Sequence, residues 1–128
     1  MDTRLYNSLR KSIIFKDVSE VNFNEIVNEI PFRILDYKKN EILFFEGDDC
    51  NSIGIVLDGE VEVNKGLTIG KKVNITKIKA GDMFAEAVVF SQYHKFPATI
   101  EASSDSKVLF ISRENIVKMC SKYPDFIE

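Results

Sequence analysis

The feature that most constrains the fold is a series of short strand-like segments, interrupted by turns, through the middle of the chain. Residues 52–57 and 60–63 flank Asp58-Gly59, a dipeptide that favours a tight hairpin turn between two strands. Further turns are predicted at 38–41, where Asn40 tolerates a left-handed backbone, and at 66–70. The other strand-like segments are 32–37, 42–45 (an apolar run typical of a buried strand), 72–75, 97–102 and 107–111. This regular spacing favours an antiparallel double-sheet barrel and excludes a sheet of βαβ units.

Helical patterns occur only towards the two ends of the chain. The first has an apolar residue at every fourth position, at Leu5, Leu9 and Ile13. In the second, Asn22 is the predicted N-cap and Pro31 ends the helix, whose apolar stripe is Phe23, Ile26, Val27 and Ile30.

A last helix is predicted over residues 113–122, because Ser112 is a good N-cap. Its predicted buried side comprises Ile116, Val117 and Cys120. The sequence as a whole therefore predicts a mainly β fold, an antiparallel double-stranded β-helix (jelly roll) with flanking N- and C-terminal helices.

Composition and charge narrow the class of protein. A chain of 128 residues is long enough for one domain with one core. It has no apolar run of membrane-spanning length and no signal-peptide core, so a cytoplasmic protein is expected. The net charge of −3 gives no general attraction to nucleic acid. Cys50, Cys120 and the single His94 are too few for most metal sites, and both thiols are expected to be reduced.

Segment 81–102 interrupts the series of strands. It opens with the Gly81-Asp82 turn and continues with a short apolar piece that carries one carboxylate, Glu86. A short helical piece between strands leaves backbone amides free at its start, and it is therefore a candidate place for a ligand.

The chain carries an ordered set of short motifs: Glu46-Gly47-Asp48, Ile55-Val56-Leu57-Asp58-Gly59-Glu60-Val61, Gly70-Lys71, Ala80-Gly81-Asp82-Met83-Phe84-Ala85-Glu86, Phe90, Ala98 and Val108-Leu109-Phe110-Ile111-Ser112-Arg113-Glu114. This order resembles the cyclic-nucleotide-binding domain, in particular the effector domain of Crp/Fnr-family bacterial transcription regulators. The resemblance extends from about residue 15 to residue 124.

The resemblance implies that residues 1–128 are the effector domain of such a regulator. Family members continue with a long dimerisation helix, of which 125–128 would be the first turn, and then a helix-turn-helix domain. DNA would be bound only through that further domain, which is absent from this chain, and the full-length protein would be a homodimer. No membrane partner, no cofactor and no catalytic residue is implied.

Such domains hold a cyclic nucleotide with a cassette that reads Gly-Glu-Leu, then Arg-Ser/Thr-Ala. Here Ala85 stands at the glycine, Glu86 at the ribose-binding glutamate and Ala87 after it. Phe96 stands where the resemblance implies the phosphate-binding arginine, and Pro97 at the hydroxyl position that follows. Since Lys95 precedes Phe96 and would point to the opposite face of a strand, it is a poor replacement. A cyclic nucleotide is therefore not the expected ligand.

The candidate site is an apolar pocket with Glu86 as its polar anchor, suited to a small uncharged or cationic effector. Its predicted wall comprises Val61, Val63, Val73, Ile75, Phe84 and Phe96, and its cassette residues are Ala85, Glu86, Ala87, Pro97 and Ala98.

Other interpretations remain open at the level of sequence. The same side chains could fill the barrel and bind nothing, as in a stand-alone domain that interacts with a partner protein. A cupin-type metalloenzyme would need several histidines, and a haem would depend on His94 alone. No metal site is predicted.

Overall fold

The computed structural model describes residues 7, 10, 12, 15–68 and 71–123, giving only the backbone for 66–68 and 71–75. The predicted stripe of Leu5, Leu9 and Ile13, and the predicted helical turn over 125–128, lie outside the described residues. The elements in chain order are α1 (Glu20–Glu29), β1 (Arg33–Tyr37), β2 (Ile42–Phe44), β3 (Ser52–Asp58), β4 (Glu60–Thr68), β5 (Lys71–Lys79), β6 (Met83–Phe84), α2 (Glu86–Val89), β7 (Thr99–Ala102), β8 (Ser106–Ser112) and α3 (Arg113–Lys122).

The strands form two four-stranded antiparallel sheets, in the orders β1-β8-β3-β6 and β2-β7-β4-β5. With α1 and α3 at the two ends, this confirms the predicted mainly β double-sheet fold with flanking helices. Among the described residues no helix is long and apolar enough to cross a membrane.

The core is built on the pairing of β3 with β8. Five consecutive β3 residues, 53–57, and four consecutive β8 residues, 108–111, are buried. Continuous apolar runs of this kind are typical of strands that are covered on both faces. The helices add Phe23 and Ile26 from α1, and Ile116 and Met119 from α3, to the same hydrophobic cluster.

The predicted hairpin at Asp58-Gly59 is wrong, because β3 and β4 belong to different sheets. The turn is instead a corner that carries the chain from one sheet to the other. Gly59 has a φ of +83°, and a Cβ on it would lie 2.3 Å from the Asp105 carbonyl oxygen. The Glu60 backbone N–H donates to the hydroxyls of Ser104 (3.0 Å) and Ser106 (3.1 Å). The loop before β8 and the first residue of β8 therefore accept the backbone hydrogen bond that a hairpin partner would otherwise have accepted.

The N-cap predicted from the sequence is confirmed for α3 and is wrong for α1. Ser112 caps α3, its hydroxyl accepting from the Asn115 N–H, as predicted. Helix α1 is capped by Ser19 and not by Asn22, whose own N–H donates to the Ser19 hydroxyl. The predicted buried face of α3 is also partly wrong, since Val117 is 50% exposed and Met119 is buried in its place.

Two strand predictions also change in the structure. The segment 42–45 is not a buried strand, because β2 is half-buried and Phe45 is exposed. The turn predicted at 66–70 is wrong for its first three residues, because β4 continues to Thr68, which pairs with Lys71. Asn40 does adopt the predicted left-handed backbone, with a φ of 76°.

A polar contact joins the end of α1 to the end of α3. Lys122 Nζ lies 2.5 Å from Glu29 Oε2, and the Tyr123 hydroxyl donates to the same oxygen at 3.1 Å. The hydrogen bonds from Lys122 and Tyr123 lower the pKa of the Glu29 carboxyl below its ordinary value of 4.5.

Gly59→Ala should destabilise the fold by about 2–4 kcal/mol, because it adds a steric clash to the cost of a left-handed alanine. Gly47→Ala is the matched control, since Gly47 has a φ of +92° but no atom lies within 4 Å of the place that a Cβ would take. The control should lose only about 1–2 kcal/mol. Urea unfolding of both variants measures the difference, and equal losses would contradict the corner interpretation.

Glu29→Gln should destabilise the protein at neutral pH, and the difference from the unmutated chain should shrink with acidification. Because the folded-state pKa of Glu29 is lowered, its contribution is present above the ordinary value of 4.5 and is lost as the pH falls through the folded-state pKa. Urea unfolding over a pH series measures this. Glu25→Gln on the same helix is the control, with a smaller difference expected at every pH. A difference for Glu29→Gln that stays constant below pH 4.5 would contradict the assignment.

Candidate functional site

The predicted cassette is held against the centre of one sheet. In β6, Phe84 pairs with Gly54 of β3, and a Cβ on Gly54 would lie 2.2 Å from the Phe84 ring. The backbone reverses at Gly81 (φ +96°) and at Ala85 (φ +72°), and the four-residue helix α2 starts at Glu86. The packing of Phe84 against Gly54, which has no side chain, therefore sets the position at which α2 begins.

Two adjoining cavities lie beside α2 and share Val63, Phe84, Ala85 and Val88. The outer groove, of about 460 Å³, lies between β5 and the cassette, and its other lining residues are Thr76, Lys77, Ile78, Asp82, Met83, Glu86 and Ala87. The inner cavity, of about 120 Å³, is also lined by Phe96, Pro97, Ala98 and Ile100. The inner cavity is apolar, and the polar groups lie in the groove outside it.

The structure brings most of the sequence-predicted site residues together around these cavities. The groove and the inner cavity contain Val63, Phe84, Ala85, Glu86, Ala87, Phe96, Pro97 and Ala98. Val61 is fully buried in the core and lines neither cavity. Val73 and Ile75 lie on β5, but their side chains are outside the described part of the structure.

Sequence reasoning missed the residues that β5 and the turn before β6 contribute, above all Thr76, Ile78 and Asp82. In the β4–β5 pairing, Thr76 lies opposite Val63 and Ile78 opposite Val61. Alternation along the strand would have placed them on one face, but only if this register had been known.

Phe96 occupies the interior of the site as a packed side chain. It is 3% exposed and stacks on Phe44 with ring centroids 4.3 Å apart and an interplanar angle of 15°. Phe44 in turn meets Phe110 edge to face at 5.8 Å, and Phe110 meets Phe84 at 6.1 Å. The four rings form a continuous aromatic series, and the inner cavity lies at its Phe84 and Phe96 ends.

The basic residues next to Phe96 are directed elsewhere. Lys95 Nζ pairs with Asp49 Oδ1 at 2.6 Å on an exposed surface. This hydrogen bond raises the pKa of the Lys95 ammonium and lowers the pKa of the Asp49 carboxyl. His94 is exposed, and its carbonyl oxygen accepts from the Cys50 N–H. Neither Lys95 nor His94 lines the groove or the inner cavity.

The groove itself presents carboxylates. Glu86 and Asp82 are both exposed, and Glu86 has no hydrogen bond or ion pair with any side chain that the structure describes. Lys77 alternates with Thr76 and Ile78 along β5, and its Nζ lies 3.9 Å from Glu60 Oε1. Among the described side chains that line this groove, Lys77 is thus the one cation, beside the carboxylates of Asp82 and Glu86.

The grouping of possible metal ligands and the state of the cysteines can be given for the described residues. Within the described ranges, no three His, Cys, Asp or Glu side chains are grouped so that they could hold a metal ion. Cys50 and Cys120 are free thiols, and burial raises the pKa of Cys50, which lowers its reactivity.

A family model described as the cyclic nucleotide-binding domain matches residues 34–123. The chain belongs to the cyclic nucleotide-binding domain family. This confirms the resemblance seen in the sequence. No curated protein sequence matches the chain.

Solved structures show the same fold in regulatory proteins. The sensor domain of the transcriptional regulator DNR from Pseudomonas aeruginosa is 17% identical, with a TM-score of 0.79 over 94% of this chain and 79% of that one. The catabolite activator protein of Thermus thermophilus is 17% identical, with a TM-score of 0.75 over 89% of this chain and 52% of that one. The regulatory domain of Toxoplasma gondii PKA, solved with cAMP, is 23% identical, with a TM-score of 0.71 over 92% of this chain and 45% of that one.

These neighbours include Crp/Fnr-family transcription regulators and PKA regulatory domains. Two further matches come from Ruegeria (Silicibacter) pomeroyi, and the chain covers 54% and 56% of their lengths. The chain thus spans about half the length of these relatives.

Phe96→Ala should destabilise the domain by about 3–5 kcal/mol, because it removes a buried ring from the aromatic series. Phe45→Ala is the matched control, since the Phe45 ring is 60% exposed, and its cost should be about 0.5 kcal/mol or less. Urea unfolding measures both losses. Equal small losses would show that Phe96 does not belong to the core.

Proposed function

We propose that this cyclic nucleotide-binding domain is the effector-sensing module of a Crp/Fnr-like transcription regulator whose effector is not a cyclic nucleotide. The observation that carries the proposal is the buried Phe96 ring at the position where the family resemblance implies a phosphate-binding arginine. The fold is that of a sensor, while the ligand chemistry of the site differs from that of its cyclic-nucleotide-binding relatives.

The energetics of the site disfavour a cyclic phosphate. A phosphate in this interior would lose its hydration beside Phe84, Phe96 and Ile100 and would meet no cation among the described side chains that line the cavity. An unpaired buried charge costs several kcal/mol, and each ~1.4 kcal/mol weakens binding about tenfold. Pro97 also lacks the backbone N–H that another residue there could donate.

The regulatory output is proposed to act through parts of the parent protein outside this chain. An effector in the groove would contact α2, and α2 adjoins β3 at the centre of the fold. A ligand that binds one arrangement of α2 more tightly shifts the population of the domain towards that arrangement. In a Crp/Fnr-like homodimer, such a shift would re-orient the DNA-binding domains.

The main alternative is a domain that binds no effector and acts through a partner protein. The small volume of the inner cavity, about 120 Å³, and the dense packing of Phe96 on Phe44 favour it. The open outer groove, of about 460 Å³, favours an effector. Titrations with cyclic nucleotides and with small organic probes distinguish the two alternatives.

Cyclic AMP titrated into this domain by calorimetry should give no binding heat at micromolar concentrations. The reason is the missing phosphate cation at Phe96. Cyclic GMP, titrated in the same way, should give the same result. A clear micromolar affinity for either nucleotide would refute the proposed change of ligand.

The double variant Phe96→Arg with Pro97→Ser should acquire measurable cyclic AMP binding, because it places a cation and a hydroxyl in the lining of the inner cavity, at the positions where the family resemblance implies them. Tyr93→Arg is the control, since it adds the same charge on a side chain that is 80% exposed. Circular dichroism establishes that each variant is folded before calorimetry. Equal binding by the control and the double variant would mean that charge alone, and not its position in the site, is responsible.

A further inference from the structure

We infer that the groove selects a small organic cation, an ammonium group joined to a ring or short apolar chain, over neutral and anionic molecules of the same shape. This inference rests on the proposed function, and it names the class of effector. It follows from the charge of the outer groove combined with the size and lining of the inner cavity.

Two of the three charged side chains described at the groove are carboxylates. Glu86 at the start of α2 and Asp82 before β6 are exposed at the groove. Lys77 is the only basic residue among the described lining residues, and its Nζ lies near Glu60. An anionic ligand would therefore meet two carboxylates, whereas an ammonium group gains a charge-assisted hydrogen bond to Glu86.

The volume and the lining of the inner cavity determine which apolar group the ligand can carry. Its volume of about 120 Å³ is slightly below the ~150 Å³ of an apolar cavity that takes up benzene. Phe84 and Phe96 provide aromatic walls, and Val63, Val88 and Ile100 provide aliphatic ones. One ring, or a chain of a few carbons, fills this space and leaves its head group in the groove.

The two cavities adjoin each other, which places an apolar space next to a carboxylate. They share Val63, Phe84, Ala85 and Val88, and Glu86 follows Ala85 directly in the chain. An ammonium on a one-carbon spacer from a ring can therefore lie near Glu86 while the ring enters beside Phe96. An ammonium group next to aromatic faces also gains a cation–π attraction.

Benzylammonium, benzyl alcohol and benzoate are matched probes that differ in the charge of the head group. Ligands of this size bind weakly, so each is titrated in the millimolar range and followed by NMR of the methyl groups. Benzylammonium should bind most tightly, benzyl alcohol more weakly and benzoate least. The largest chemical-shift changes should fall on Val63, Val88 and Ile100.

Glu86→Gln should weaken benzylammonium binding by about three- to fivefold, as expected for an exposed ion pair, and leave benzyl alcohol nearly unchanged. Glu114→Gln is the control, because this exposed carboxylate on α3 lies outside both cavities. It should leave the affinity for all three probes unchanged.

The outcomes separate this inference from the proposed function. The inferred selection for a cation would be overturned if benzyl alcohol or benzoate bound as tightly as benzylammonium. It would also be overturned if none of the three probes bound. An undiminished benzylammonium affinity in Glu86→Gln would also overturn it. A cyclic AMP arm in the same NMR experiment tests the proposed function by itself, since micromolar binding of cyclic AMP would refute that function whatever the other probes do.

Discussion

The arrangement of this domain depends on the packing of one ring on one glycine. Gly54 lies in β3, which pairs with β8 and β6, and the Phe84 ring occupies the space that a Cβ on Gly54 would fill. The contact joins the most buried strand of the core to the segment that carries the site. The backbone has positive φ at Gly81 and at Ala85, on either side of β6, and α2 begins at Glu86, whose side chain lines the groove. The position of the candidate ligand anchor is thus a consequence of core packing.

The site and the core also share side chains, which links binding to stability. Phe96 lines the inner cavity and at the same time stacks on Phe44, which contacts Phe110 in the centre of the first sheet. A ligand that enters beside Phe96 touches a ring whose other face is part of the core. Since packed cores respond to added volume by shifting between discrete arrangements, a ligand here has a direct physical route to the strands behind it. An arginine at this position would have required charge compensation and hydration instead, and would not have supplied this packing.

The parts of the fold that sequence predicted correctly depend on neighbours in the chain. The strand predicted over 52–57, the cap at Ser112 and the left-handed Asn40 are set by local apolar content, one hydroxyl and one short side chain. The wrong predictions are of two kinds. Some involve two competing local signals, and others involve contacts with residues far away in the sequence. Asp58-Gly59 does reverse the chain, but the hydroxyls of Ser104 and Ser106 accept from the backbone N–H that follows it, and β4 joins the other sheet. At α1, Ser19 and Asn22 are both good caps, and the structure uses Ser19, whose hydroxyl accepts from the Asn22 N–H.

The same distinction, between neighbours in the chain and partners far away in sequence, explains why the sequence revealed only one wall of the site. The cassette from Phe84 to Ala87 is contiguous, so its composition could be compared with a family pattern residue by residue. The opposite wall, formed by Thr76 and Ile78, depends on the register of β5 against β4, and that register shifts at a bulge between Val63 and Asn64. A bulge exchanges the faces of the residues beyond it, and no local pattern announces it here. Lys77 lies between Thr76 and Ile78 and opposite Glu62 in the same register, and it also lines the groove. The balance of charge there, one ammonium against the carboxylates of Asp82 and Glu86, therefore combines one residue set by this register with two from the contiguous cassette.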